Sequence, residues 1–344
     1  MSKVAVTVVM INRNGGALLR DAVASCRVSL EAAWRARPDV EFVFVDNGST
    51  DDSVTTAQEM LKGVSFPWSL VQESTPGVNA ARNAGLKAAR GELLVYTDSD
   101  LRFSTGWLQA YQNAARRFPD IEVFAGRVRI GPIGGPVPNW LDLCGPYRRT
   151  AIIIQMDAGE DARVLPLDNA EGVGPVGPNM AFRRSVFDHH GSFDTRFGLR
   201  PGSLVPGAEA EYFDRLARAK FTFVYVPDAV VHHPLRADQM TKKYFLTRLH
   251  GIGRVNARLQ RIRGANAKRL FGVTLYAFEY LLRSSGMYVL SFLQFSLQRR
   301  FFYRGEMARW CGHLHEDWLD RGTARPGEPG TEKSEIASLP CEMS

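Results

Sequence analysis

The chain has 344 residues, 45% hydrophobic and 23% charged, ordinary for a folded protein with one large domain and appendages. Its formal net charge is +7, with Lys and Arg crowded late in "RLQRIRGANAKR" and "LQRRFFYR", which points to an anionic partner: phosphate, nucleic acid or lipid head group. Cys26, Cys144, Cys311 and Cys341 lie too far apart for zinc or redox motifs, and a reduced, cytoplasmic compartment is expected.

The opening "MSKVAVTVVMINRN" is too short and too weakly cationic for a secretory signal, and no run reaches the roughly 18 apolar residues of a spanning helix. The β-branched "VAVTVVMI" predicts a strand covered on both faces, "NRNGG" a turn, and "ALLRDAVASCRVSLEAAW" a helix. A second strand, "VEFVFVDNGS", precedes a helix over "TDDSVTTAQEMLKG" that Ser49, Thr50 or Asp51 can cap. "WSLVQES" predicts a third strand, "TPGVNAARNAGLKAARG" a turn and helix, and "LLVYTDSD" a fourth strand. Repeated β-α units of this length imply a parallel, Rossmann-like sheet, whose ligands bind where the loops after the strands converge. Asn12 with Arg13, Asp46 with Asn47, and Asp98 with Asp100 fall at those ends, so one shared crevice is expected.

From about residue 106 the regularity weakens. "RIGPIGGPVPNWLDLCGPYRR" predicts loops around short strands, "GAEAEYFDRLARAK" a helix, and "FTFVYVPDAVVHHP" two short strands with two histidines. Beyond Arg236 the chain turns basic and helical, and "TARPGEPGTEKSEIASLPCEMS" has the composition of a disordered tail. Residues 268–305 mix Phe, Leu and Tyr with flanking Arg and Lys. They read either as an interfacial helix pair on an anionic membrane surface or as a helical hairpin packed on the domain.

In an extended strand, residues two apart share a side, so Asp98 and Asp100 are expected to face one ligand; paired carboxylates suit Mg2+ or Mn2+ beside phosphate oxygens. A D-x-D alone is weak, and its context is much stronger. "VVMINRN", "VFVDNGSTDDS" and "PGVNAARNAGLKAARGELLVYTDSD", then "GPVGPNMAFRRSVF", "GSFDTRFG", "GAEAEYFDRL" and "FVYVPDAVVHHP", resemble in order the family 2 glycosyltransferases with the GT-A fold, over residues 4–235. That resemblance implies an α/β, Rossmann-like, mostly parallel sheet flanked by helices. Residues 1–105 would form a nucleotide-sugar half, 106–235 an acceptor half, 236–320 a helical extension and 321–344 a tail. It also implies an inverting, metal-dependent transfer of sugar from a nucleotide-sugar donor to a hydroxyl of a saccharide or lipid-linked acceptor, in polysaccharide, glycolipid or glycoprotein assembly. Such a protein would work in the cytoplasm or on the inner face of the cytoplasmic membrane.

By the same resemblance Asp46 contacts the nucleotide base with Asn12 and Arg13 nearby, Arg82 faces base or diphosphate, and Asn79 and Asn83 shape that loop. Asp98 lies near ribose and metal, and Asp100 coordinates the divalent cation. His233 either approaches the diphosphate or metal or is a strand-end histidine bonded to backbone. The general base corresponds to Glu209, with Glu211 competing, and Ala210 stands where an Asp is expected. Asp46 as a turn residue and Arg82 as a surface residue are the plain alternatives; Asn179, Met180, Trp107 and Trp140 either line the acceptor side or pack in the core. Two other functions compete. A nucleotidyltransferase needs a glycine-rich loop that "NRNGGALLR" imitates poorly, and a silent GT-A binding module would not need Asp98, Asp100 and Glu209. Nucleic acid is not expected as a partner, since no helix-turn-helix or zinc pattern accompanies the basic charge.

Overall fold

All seven residues of strand β1 (Val6–Asn12) and all seven of β2 (Val40–Asp46) are buried, as strands covered on both faces require. The computed structural model describes residues 5–143, 145, 152–203, 205–264 and 267–320; Cys144, Cys341 and the tail expected to be disordered lie outside the described residues. Between and after these strands come α1 (Gly16–Ala36), α2 (Ser53–Leu61), β3 (Trp68–Gln72), α3 (Val78–Ala88) and β4 (Leu93–Asp98). Helix α1 buries Leu19, Val23, Cys26 and Leu30 at helical spacing, and a side chain so covered contributes about 1.5–3 kcal/mol of transfer free energy. Asp51 accepts from Ser53 N at 3.1 Å and from Gly16 N at 3.1 Å, so it ties the start of α2 to the start of α1. β1 pairs in parallel with β2 and β4, and β2 with β3.

The second half adds β5 (Arg102–Phe103), α4 (Trp107–Arg117), β6 (Val123–Ile133), β7 (Arg163–Pro166), β8 (Asn179–Arg183), α5 (Arg184–His190), α6 (Ala210–Arg218) and β9 (Thr222–Leu235). Among the described residues the sheet has nine strands in the order β3-β2-β1-β4-β8-β6-β9-β5, with β7 also on β9. β8 is antiparallel to both β4 and β6, while β9 runs parallel to β6. Two sequence expectations change here. The Gly- and Pro-containing "RIGPI" continues β6, and "FTFVYVPDAVVHHP" is one long strand, because β6 and β9 pair on either side of register shifts that absorb Gly131, Pro132 and Pro227.

An aromatic cluster of Tyr96, Phe182, Phe187, Phe193 and Tyr212 joins β4, β8, α5 and α6, with Tyr212 stacked on Phe187 at 5.4 Å and Tyr96 edge-on to Phe193 at 5.5 Å. This packing fixes where α6 begins.

After β9 come α7 (Lys242–Ile262), a hairpin of β10 (Arg269–Leu270) and β11 (Val273–Thr274), α8 (Leu275–Leu290) and α9 (Leu297–Leu319). α7 packs Val255 and Leu259 on Phe197 and ties Arg263 to Asp214 on α6 at 2.6 Å. α9 crosses α7 closely: a Cβ on Gly253 would lie 1.8 Å from the Arg309 carbonyl oxygen, and one on Gly312 would lie 1.9 Å from that of His250. Among the described residues no helix is long and apolar enough to cross a membrane.

Candidate active site

β1 and β4 are neighbours, but β1 leads on to β2 while the sheet beyond β4 continues to β8, so their carboxyl ends open at a topological switch point. A cavity of about 750 Å3 lies there, lined by Asn12, Arg13, Arg82, Asp98, Asp100 and Glu209 among others. The turn after β1, α3, the end of β4 and the start of α6 thus bring six of the sequence candidates together. Asp46, Asn79, Glu211 and His233 do not line the cavity.

Asp46 stands one layer behind. Its carboxylate accepts from Asn12 Nδ2 at 3.1 Å, from Ser49 N at 3.0 Å and from the Ser49 hydroxyl, and the side chain is buried. Asn12 Oδ1 in turn accepts from Ser99 Oγ at 2.7 Å, so the cavity meets Asn12 with both amide atoms already oriented. Asn47 Nδ2 donates to the carbonyls of Glu73 (2.9 Å) and Thr75 (2.7 Å), and its Oδ1 accepts from Gly77 N (2.8 Å). This ties the end of β2 to the start of α3. Arg13 donates to the Asn47 carbonyl. Asn79 is likewise a strut: its Nδ2 donates to the carbonyls of Asp194 (2.8 Å) and Ala208 (2.6 Å), and its Oδ1 accepts from Arg82 (3.3 Å). Asn83 holds the same loop through both backbone groups of Phe193.

Arg82 is a buried cation and not a surface helix residue. Its side chain is 3% exposed, its Nη1 lies 3.5 Å from Glu209 Oε2, and its guanidinium sits 5.6 Å from the centre of the Phe193 ring. Its Nε is buried without a hydrogen-bond partner. Gly177 N donates to Glu209 Oε1 at 3.3 Å, and a Cβ on Gly177 would lie 2.3 Å from Arg82 Nη2, so a side chain there would displace the guanidinium from this position. Glu209 is the residue before α6 and is a quarter exposed, whereas Glu211 is committed elsewhere: Arg215 grips it at 2.8 and 3.0 Å while also donating to the backbone of His190 and Ser192.

β4 ends at Asp98, and Ser99 and Asp100 form a turn. Strand alternation therefore does not place Asp100; the turn does, and both carboxylates still line the cavity. Burial pushes the Asp98 carboxyl up to about 6; Arg82 opposes the rise, Asp100 adds to it, His233 opposes it and Glu209 adds to it. Asp100 Oδ1 is buried without a hydrogen-bond partner, and its Oδ2 faces His233 Nε2 and Arg236 Nη1, each at 3.9 Å. His233 Nδ1 lies 3.0 Å from the Pro234 carbonyl, which can only accept, so Nδ1 donates there and Nε2 is the ring nitrogen that faces Asp100.

Several candidates pack in the core instead. Asn179, fully buried, accepts from Trp107 Nε1 (2.8 Å) and Tyr111 Oη (2.9 Å) and donates to the carbonyls of Arg127 and Ala229. Met180 and Trp107 have no exposed surface, and Trp140 packs on Phe245 and Phe301. Conversely, Arg200, Arg236 and Arg248 line the cavity, although the sequence reading marked none of them as a site residue. Nothing local to "KKYFLTRLHG" marks Arg248, which reaches the cavity only because α7 folds back on α6.

Residues 7–191 match the sequence profile described as Glycosyl transferase family 2. The chain is 20% identical over 300 residues to Glycosyltransferase AglE of Haloferax volcanii, spanning 86% of this chain and 89% of the relative. Among solved structures it is similar to the mannosyltransferase PcManGT of Pyrobaculum calidifontis in complex with GDP-Man and Mn2+, with a TM-score of 0.51 and 15% identity over 93% of this chain and 75% of the other. It is also similar to residues 1–349 of TarS from S. aureus, with a TM-score of 0.50 and 14% identity over 92% and 91% of the two chains. At these identities the structural likeness is one of fold.

Proposed function

The chain belongs to glycosyl transferase family 2, and from that premise we propose an inverting, metal-dependent transfer of a sugar from a nucleotide-sugar to an acceptor hydroxyl. Residues 1–235 carry the reaction in this reading, with 236–320 as its helical extension. The observation that supports it most is that Asp98, Asp100, Arg82 and Glu209 line one cavity at the switch point of the sheet. The Glu209 carboxylate takes the proton from the acceptor hydroxyl. That oxygen bonds to the anomeric carbon on the face opposite the leaving group, the carbon's bond to the diphosphate oxygen breaks, and a nucleoside diphosphate departs. Arg82 holds Glu209 in place through its 3.5 Å contact and carries an unused donor, Nε, for the donor substrate.

The residues present fit a divalent cation. Asp100 offers a buried carboxylate oxygen without a partner, Asp98 stands beside it, and His233 turns its Nε2 toward Asp100. Among the described residues no preformed set of three such donors exists, which suits Mg2+ or Mn2+ completed by diphosphate oxygens and water. A cation held there supplies charge neutralisation for the departing diphosphate. The structure described with GDP-Man and Mn2+ supports the same assignment by analogy. The nucleotidyltransferase alternative is disfavoured, because the amides of Asn14, Gly15 and Gly16 are already taken by Ser49, Ser53 and Asp51 and cannot cradle a triphosphate.

Turnover of UDP-, GDP- and dTDP-sugars with and without Mn2+, in wild type and Asp100→Ala, tests the reading. Loss of several kcal/mol of charge stabilisation predicts a drop of roughly a hundredfold or more in the variant. A wild-type protein that neither binds a nucleotide nor turns over any of these donors overturns it.

The C-terminal helices support a membrane-surface partner. The outward face of α8 and the turn after it expose Leu275, Phe278, Leu282, Val289 and Leu293, and Phe271 and Phe295 beyond its two ends are 82% and 88% exposed. Lys268, Arg283, Arg299 and Arg304 are exposed along the same stretch, the pattern that seats a helix in an anionic interface.

A further inference from the structure

A second cavity, of about 520 Å3, adjoins the first and falls in the size range of small-molecule sites. Two irregular segments form the border between them. In residues 154–157, Ile154 lines the first cavity, Met156 and Asp157 line the second, and Gln155 lines both. In residues 173–178, Val173 and Gly174 line the second, Pro175, Gly177 and Pro178 the first, and Val176 both. The Gly177 amide that donates to Glu209 at 3.3 Å is one residue from this border. The second cavity therefore continues from the side of the site where the acceptor hydroxyl gives up its proton.

The walls of the second cavity are mostly aliphatic: Ile130, Ile133, Leu143, Met156, Val173 and Val176. Among the described residues its one ionisable lining side chain is Asp157, and that carboxylate is already engaged. Its Oδ1 accepts from Tyr225 Oη and from Gly159 N, each at 3.1 Å, and lies 3.4 Å from Arg127 Nε. A charged ligand would find no counter-charge to spare there, so the occupant is neutral. The half-buried Gln155 has no hydrogen-bond partner for its side-chain amide among the described residues. A hydrocarbon occupant would strip water from that amide and leave it unpaired, which costs free energy. A sugar ring suits both features: its C–H faces pack on the aliphatic walls, and its hydroxyls donate to and accept from the amide.

We propose that the acceptor is an oligosaccharide, with its reacting unit beside Glu209 and its neighbouring neutral unit in the second cavity, hydrogen-bonded to Gln155 at the border. This rests on the transferase reading above. The second unit is bound and unchanged, and only the hydroxyl oxygen of the reacting unit forms the new bond. Gln155 sets which acceptors are used and takes no part in the proton transfer.

The test uses the full chain with Mn2+ and whichever of UDP, GDP or dTDP binds to it. Methyl glycosides of glucose, galactose, mannose and N-acetylglucosamine are titrated beside the α- and β-linked disaccharides built from them, and octyl glucoside beside methyl glucoside. At least one disaccharide is expected to bind about tenfold tighter than either of its units. Gln155→Ala should shrink that ratio about fivefold while monosaccharide and nucleotide affinities stay as they were, and Gln155→Asn should recover part of it. A Cβ on Gly174 would meet no atom within 4 Å, so Gly174→Leu has room to fold and should shrink the ratio by narrowing the cavity. Nucleotide binding with no disaccharide preference, or a preference that ignores both Gln155→Ala and Gly174→Leu, overturns the proposal alone. Tighter binding of octyl glucoside than of methyl glucoside, with no disaccharide preferred, gives the cavity to hydrocarbon and likewise overturns it. Absence of nucleotide binding overturns the transferase reading beneath it.

Discussion

At the scale of single residues, Glu209 and Glu211 are separated by what each already touches. Glu209 faces Arg82 and the Gly177 amide at the cavity, while both oxygens of Glu211 are engaged by Arg215. Glu209→Gln is expected to lower transfer by about 10²–10⁴-fold with nucleotide affinity little changed. Glu211→Gln is expected to cost about 1–3 kcal/mol of stability, read by denaturant unfolding, and to spare kcat. Equal kinetic damage from the two would reverse the assignment. The string "GAEAEYF" offered both glutamates and put Glu209 first only through the register of the resemblance, because the contacts that separate them come from Arg82 and Arg215, which approach from α3 and from one turn further along α6. Asp46 makes the same point. The sequence put it at the end of β2, where it is, but burial and the bonds from Ser49 and Asn12 set it behind the cavity wall.

At the scale of elements, the α7–α9 crossing depends on Gly253 and Gly312. Gly253→Val would force a methyl-bearing carbon into the Arg309 carbonyl and is expected to cost about 1–3 kcal/mol or more, lowering Tm; an unchanged Tm would show that the helices separate freely. Glu316 on α9 is gripped by Arg254 and Arg258 of α7, each at 2.7 Å; burial alone would raise its carboxyl, but these arginines hold it below the usual glutamate range. Beside it, burial first, and then His315 and Arg254, push the His250 imidazole down to about 4, with Glu316 acting the other way. An unfolded histidine titrates near 6.5, so between pH 6.5 and 4 the unfolded chain holds the extra proton and stability falls as pH falls. Thermal unfolding should show that decline, and His250→Gln should flatten it; a variant with the wild-type slope would assign the decline to other groups. None of this seam was legible beforehand, since the glycines and the arginines that meet across it are separated by some sixty residues.

At the scale of the whole molecule, the outward face of α8 predicts co-sedimentation with vesicles rich in anionic lipid, weakened by salt and by Phe278→Glu or Leu282→Glu. Binding to neutral and anionic vesicles alike, or to neither, would remove the membrane from the proposal. For residues 268–305 the sequence allowed either a membrane helix pair or a packed hairpin, and the fold divides them: α9 packs into the protein against α7 and α8 lies outside. Apolar periodicity is a local property of the chain, so the β-α alternation of the first hundred residues and the crevice at the strand ends with Asp98 and Asp100 were determined by the sequence itself, while Arg82 and Glu209 were assigned to that crevice by the family resemblance. The cavity's other wall was decided only by the tertiary structure. Arg200, Arg236 and Arg248 carry no shared spacing or motif, and they meet because β9 extends past its bulge and α7 folds back over α6, contacts whose cause is packing between distant segments.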